Sequence, residues 1–305
     1  MRKNVALITL NPTLDIFFQG EDFSFNQKIF TKHSCIAAGG SAVNVARGLQ
    51  GLKRSFKLYI IIGGEIGTLV RMDLVKEGVP FCFSENKEET RVTSILMSGN
   101  NRKMFVAPSP KIDSATLRKF IYDYYSEIAD NTVVLIGGSV PDEFSERIIL
   151  DLVNSLIKQG VKVIVDSRGT FAQNVYKKTP YFIKYNNQGI SRINRDIQAA
   201  CNLHKKGVAL VVLNTERYCY AIYDNYIWRY PNFTQFTKRI YGRGDAFLAG
   251  AISALLDKCS FGEAVQFAIA CGASFTRDFP LGEISRKLIP NYLCNIQCDI
   301  TQRII

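Results

Sequence analysis

Val133-Val134-Leu135-Ile136, an amphipathic stretch over residues 145–159, and then Gly160-Val161-Lys162-Val163-Ile164-Val165 decide the fold class. Short apolar runs rich in β-branched residues, with no polar alternation, suit strands buried on both faces of a parallel sheet. Between the two runs Ile148, Ile149, Leu152, Leu156 and Ile157 recur at three- and four-residue spacing, which predicts a helix with one apolar face. Gly160 closes that helix and Val161 opens the next strand. Similar runs stand at residues 5–10, 58–62 and 208–213. Strand, helix and strand in alternation predict an α/β fold with a doubly wound, mostly parallel sheet.

Two regions, residues 12–36 and 90–107, interrupt the alternation. They hold few helix signals and many aromatic and β-branched residues, and are expected to form extra strands, a small β flap beside the main sheet. No repeat, low-complexity tract or Pro/Gly/Ser linker divides the chain, so residues 1–305 are read as one domain with the flap inserted in it.

Composition narrows the function. With 47% hydrophobic and 21% charged residues the 305-residue chain is neither disordered nor fibrous. The net charge of +11 suits anionic partners. Eight cysteines without a CxxC pair, and only His33 and His204, argue against a zinc site, so no metal-ligand set is expected. The cysteines read as reduced thiols of a cytoplasmic protein. Met1-Arg2-Lys3 followed by apolar residues resembles a signal peptide only until Pro12 and Asp15, and a buried strand explains it better. The longest uncharged apolar run, 246–256, falls well short of the roughly 20 residues that span a bilayer, so no membrane segment is expected. Ten Lys/Arg between residues 158 and 213 face only Asp166 and Asp196. That stretch is a solvated face or the surround of an anion site. It lacks an aromatic-interleaved basic motif, and nucleic acid is not an expected partner.

Three segments carry the chemistry. Gly242-Arg243-Gly244-Asp245 opens a helix, so tight backbone and free amides converge on one spot that suits an anion. Asp245 is either a plain N-cap or a carboxylate beside bound phosphate that accepts a hydroxyl proton. Gly39-Gly40-Ser41-Ala42-Val43-Asn44 opens another helix, as a simple turn or as a place where backbone and Asn44 approach a polyhydroxylated ligand. Asn11-Pro12-Thr13-Leu14-Asp15 ends the first strand, at the edge where doubly wound sheets bind ligands. Asp15 there binds a hydroxyl pair or initiates a turn.

In this order and at these distances, the three segments resemble the ribokinase-like PfkB carbohydrate kinases, and more narrowly their 1-phosphofructokinase and tagatose-6-phosphate kinase branch. Gly63-Gly64-Glu65-Ile66-Gly67, Glu89-Thr90-Arg91, Gly138-Ser139-Val140-Pro141, Val165-Asp166-Ser167 and Lys184-Tyr185-Asn186 extend the resemblance over nearly the whole chain. It implies phosphoryl transfer from ATP, with Mg²⁺, to a hydroxyl of a phosphorylated ketohexose: fructose 1-phosphate, fructose 6-phosphate or tagatose 6-phosphate. Asp245 is implied as the base and the amides of Gly242, Arg243 and Gly244 as the anion hole. Asp15, Gly39, Gly40 and Asn44 are implied to hold sugar hydroxyls, and Lys28, Arg91 and Ser139 the phosphate already on the sugar. A phosphate dianion needs fixed cations, and arginine offers a matching planar fork. The nucleotide side falls to Lys184, Asn186, Asn214, Thr215 and Tyr218. Relatives often pair through such flaps, so a homodimer through the flap strands is the expected assembly.

Departures from the family pattern gather at the nucleotide end. An Asn-x-x-Glu that organises Mg²⁺ reads Asn186-Asn187-Gln188-Gly189, without its carboxylate. Thr215 and Tyr218 replace loop glycines, and Tyr218 either displaces ATP or stacks on adenine. Arg243 replaces an alanine, keeps its amide, and offers a side chain to nucleotide phosphate. At the sugar end Ser41 replaces a frequent lysine. The alternative function is therefore a weakened paralogue that binds a sugar phosphate without efficient ATP turnover.

Overall fold

In the computed structural model, residues 4–20, 28–98, 101–185, 193–236, 242–276 and 282–304 are described. The first third of the chain forms β1 (Val5–Thr9), β2 (Thr13–Gln19), β3 (His33–Gly39), α1 (Ser41–Gly51), β4 (Phe56–Gly63), α2 (Gly64–Lys76), β5 (Phe81–Asn86), β6 (Arg91–Ser98) and β7 (Asn101–Val106). The middle forms α3 (Ser114–Ala129), β8 (Val133–Gly137), α4 (Glu143–Lys158), β9 (Lys162–Asp166), α5 (Gly169–Tyr176), β10 (Phe182–Tyr185), α6 (Ile193–Lys205) and β11 (Leu210–Asn214). The remainder forms β12 (Tyr218–Tyr223), β13 (Tyr226–Pro231), α7 (Arg243–Leu256), α8 (Phe261–Ala273), β14 (Phe275–Thr276), β15 (Glu283–Ile284), α9 (Ile289–Leu293) and β16 (Asp299–Arg303).

Among the described residues the main sheet has ten strands in the order β16-β13-β12-β11-β10-β9-β8-β1-β4-β5. From β11 to β5 every pairing is parallel, whereas β12, β13 and β16 add an antiparallel edge. All five residues of β1 are buried. Leu7 points into a core shared with α1, α7 and α8, and Ala6 and Ile8 into a second core shared with α3 to α6. Two covered faces explain why these strands read as unbroken apolar runs. α4 is capped by Asp142, whose carboxylate accepts the amide of Ser145 at 2.8 Å. Gly160 follows its end at φ +79°.

The flap is a separate sheet in the order β3-β2-β6-β7. Phe17, Ala37 and Ile95 are buried on its inner side, which also carries Asp15, paired with Ala37 and Thr93. Ile36, Ile16, Ser94 and Phe105 form one row across the other side. Among the described residues no helix is long and apolar enough to cross a membrane. All eight cysteines are free thiols.

Candidate active site

The site grows from the mouth of α7. Gly242 precedes the helix at φ +80°, a left-handed conformation that glycine adopts without strain, and a Cβ there would lie 2.8 Å from the Phe275 ring. The amides of Arg243 and Gly244 have no carbonyl four residues back within the helix, so they mark its positive end. Asp245 and Ala246 already bond the Gly242 carbonyl, at 3.1 and 2.9 Å.

Asp245 is not the N-cap that one reading of the sequence made it. Gly242 holds that place, and the Asp245 side chain reaches across to α1 instead. Its Oδ1 lies 2.9 Å from Ser41 Oγ, and its Oδ2 accepts Asn44 Nδ2 at 3.0 Å. Arg47 Nη1 donates to Asn44 Oδ1 at 3.0 Å, which fixes the amide with its nitrogen toward Asp245. Arg47 is itself held by Glu77, just past the end of α2, at 2.7 Å, and Asp73 of α2 accepts the Ala38 amide from the flap strand β3.

Behind Ser41 stands a buried ion pair. Lys184 Nζ is 2.9 Å from both oxygens of Asp166, and Ser41 Oγ is 2.9 Å from Asp166 Oδ2. Both residues come from the carboxyl ends of neighbouring parallel strands, β9 and β10, where this fold class places its ligands. Lys184 also underlies the helix mouth, since a Cβ on Gly244 would sit 3.7 Å from its Nζ. Burial pushes Asp245 up to about 6. The Lys184 ammonium opposes that rise, the Asp166 carboxylate adds to it, and donation from Asn44, and from Ser41 whenever its proton points to Asp245, favours the anion. A carboxylate with that affinity, beside a cluster of amides, can take a proton from a hydroxyl near neutral pH.

At the sugar end, Asp15 lies against Gly39, where a Cβ would stand 2.2 Å from its carboxylate, and Gly40 provides the cap position of α1. Asn11 ties the phosphate candidates together. Its Nδ2 donates to Ser139 at 2.8 Å and to Ser109 at 2.7 Å, and its carbonyl accepts Arg91 Nη2 at 3.3 Å. Asn11 Oδ1 is buried without a hydrogen-bond partner, as a group awaiting a ligand would be. Lys28 lies exposed ahead of β3, and none of these contacts includes it.

At the nucleotide end, both amide atoms of Asn214 are buried and unpaired. Thr215 is used within its own turn: its hydroxyl donates to the Tyr218 carbonyl at 2.8 Å and accepts the Tyr218 amide at 3.0 Å. Asn232, Thr234 and Gln235 lace the carbonyls of Thr215, Glu216 and Arg217 to the chain after β13. The Tyr218 ring lies 4.9 Å from the Arg229 guanidinium and edge-on to Tyr220. Arg243, the first residue of α7, is wholly buried at the helix mouth. Asn186, with residues 187–189, lies outside the described residues. Among the described residues no group of three His, Cys, Asp or Glu side chains could hold a metal ion.

Sequence reasoning passed over Asn11, Ser109 and Arg47 as site residues and saw Ser41 only as a departure. Asp166 had a signal, its place at the end of an apolar strand.

Against known proteins, the family model for pfkB family carbohydrate kinases matches residues 31–279. A 1-phosphofructokinase of Borreliella burgdorferi is 24% identical and aligns with 97% of this chain and 98% of its own length. The fold is similar to that of phosphofructokinase-2 from Escherichia coli in complex with fructose-6-phosphate, at a TM-score of 0.84, 22% identity and coverage of 97% and 99%. It is also similar to Arabidopsis thaliana ribokinase complexed with ribose and ATP, at a TM-score of 0.69, 16% identity and coverage of 96% and 99%.

Proposed function

This chain belongs to the pfkB family of carbohydrate kinases, and from that premise we propose that it transfers the γ-phosphoryl group of ATP to a hydroxyl of a phosphorylated ketohexose. Fructose 1-phosphate, fructose 6-phosphate and tagatose 6-phosphate are the candidate acceptors. The observation that carries the reading is Asp245: partly buried, raised to about 6, and set beside the amides that open α7. Asp245 takes the hydroxyl proton as the sugar oxygen closes on the γ-phosphorus. The amides of Gly242, Arg243 and Gly244, with Lys184 beneath them, steady the charge that develops on the transferred group.

Asp15, Gly39, Gly40 and Asn44 orient the sugar hydroxyls, and Arg91 and Ser139, joined through Asn11, receive the existing phosphate, with Lys28 as the further cation that the family resemblance implies. The unpaired amide of Asn214 supports a nucleotide contact there, with Thr215 and Tyr218 beside it and Asn186 assigned by the resemblance alone. Mg²⁺ would enter with ATP, bound through the substrate phosphates. The eight free thiols support a reducing, cytoplasmic setting.

Purified protein with ATP, Mg²⁺ and each of the three sugar phosphates in turn should release ADP with at least one. Absence of ADP with all three defeats the reading. One observation favours a second reading, a sugar-phosphate binder with poor turnover: the Thr215–Tyr218 turn is closed on itself by its own hydrogen bonds. Titration calorimetry separates the two, since the second reading requires sugar-phosphate heat without Mg·ATP heat.

A further inference from the structure

Ser41 Oγ lies 2.9 Å from Asp166 Oδ2 and 2.9 Å from Asp245 Oδ1. A hydroxyl carries one proton, so it donates to one carboxylate at a time and meets the other with a lone pair. With both carboxylates ionised, one of the two contacts sets lone pair against lone pair. With a proton on Asp245 Oδ1 both contacts become hydrogen bonds: Asp245 donates to Ser41, and Ser41 donates to Asp166. Lys184, donating to both oxygens of Asp166, marks that residue as the acceptor end of the chain. Among the described residues, the charged groups facing Asp245 are these two, from β9 and β10, with Arg47 one step away through Asn44 from α1.

We propose that Ser41 and Asp166 are positioning residues that hold the proton Asp245 removes from the sugar. The inference rests on the kinase reading above. In the step, the sugar O–H bond breaks and its proton comes to rest on Asp245 Oδ1. The sugar oxygen bonds to the γ-phosphorus, and ADP leaves with the electron pair of the broken P–O bond. Ser41 turns its own proton to Asp166 and accepts from Asp245, with no heavy atom moving. The residue that replaces a lysine of the family pattern thereby serves the base rather than the sugar phosphate.

The sign of one titration decides between this chain and an ordinary donor. Removing the hydroxyl costs the ionised state one hydrogen bond and the protonated state two. Ser41→Ala therefore lowers the Asp245 midpoint, by about half to one pH unit if one net hydrogen bond is at stake. A serine that only donated to the anion would raise the midpoint on removal. The experiment is a carboxyl-carbon NMR titration of the full chain labelled at aspartate, with the Asp245 signal identified by its loss in Asp245→Asn. The proposal expects a lower midpoint in Ser41→Ala and the original value in Ser41→Thr, which keeps the hydroxyl. An unchanged or higher midpoint in Ser41→Ala, or a threonine variant that behaves like the alanine variant, overturns it. The titration needs no turnover, so a failed ADP assay would remove the kinase reading and leave this result to be judged alone.

Discussion

Asp245 is raised by burial, drawn back by Lys184 and pushed up again by Asp166. As a base it acts only when ionised, so kcat/KM should climb with pH through about 6 and level off above it. Lys184→Met removes the cation that favours the anion, so the climb should move to higher pH. The same change removes the buried cation that pairs with Asp166 and should cost about 3–5 kcal/mol of stability in denaturant titration. Gly39→Ala should act differently, since its methyl would strike the Asp15 carboxylate. A several-fold higher KM for the sugar phosphate is expected, with the KM for ATP unchanged. That Asp245, Gly39 and Asn44 stand at helix mouths was legible from the glycines beside them, whereas their roles came only from the family resemblance, since each motif alone also fits a cap or a turn. The Ser41 bridge was not: its two carboxylates lie 125 and 204 residues further along the chain. Nothing local to Ser41 announces either.

The reacting groups sit on different elements, so the packing of α1 against α7 sets their spacing. Gly48 of α1 faces Ala249 of α7 so closely that a Cβ at position 48 would lie 2.6 Å from the Ala249 methyl. Gly48→Ala should force the helices apart at a cost of about 1–3 kcal/mol. Because Ser41 and Asn44 ride on α1, kcat should fall along with the melting temperature. A lower melting temperature with unchanged kcat would separate helix packing from site geometry. The elements themselves divide by how much they bury. β1, β8 and α4 were readable from apolar runs and helical spacing, because each is held by a core. The antiparallel edge was not: β16 is exposed at all five positions and shows no alternation to read.

Over the whole molecule, the flap divides its two sides between tasks. Its inner side carries Asp15 toward the site, and its outer row leaves Ile36 and Phe105 more than half exposed. Exposed apolar rows of this kind mark interaction surfaces, and a second copy of the chain is the proposed occupant. Sedimentation should give twice 34.3 kDa for the wild type and 34.3 kDa for Ile36→Lys with Phe105→Lys. A wild-type particle of 34.3 kDa would remove the pairing. The flap strands were foreseeable from their β-branched and aromatic content, but which side would face solvent required the sheet register. In the proposed mechanism fold, flap and helix mouth serve one proton transfer, and a single rate tests it: ADP formation by Asp245→Asn beside wild type, with the best sugar phosphate and saturating Mg·ATP. The variant should lose roughly 10²–10⁴-fold in kcat while still binding the sugar phosphate. Equal rates from the two proteins would contradict the role of Asp245.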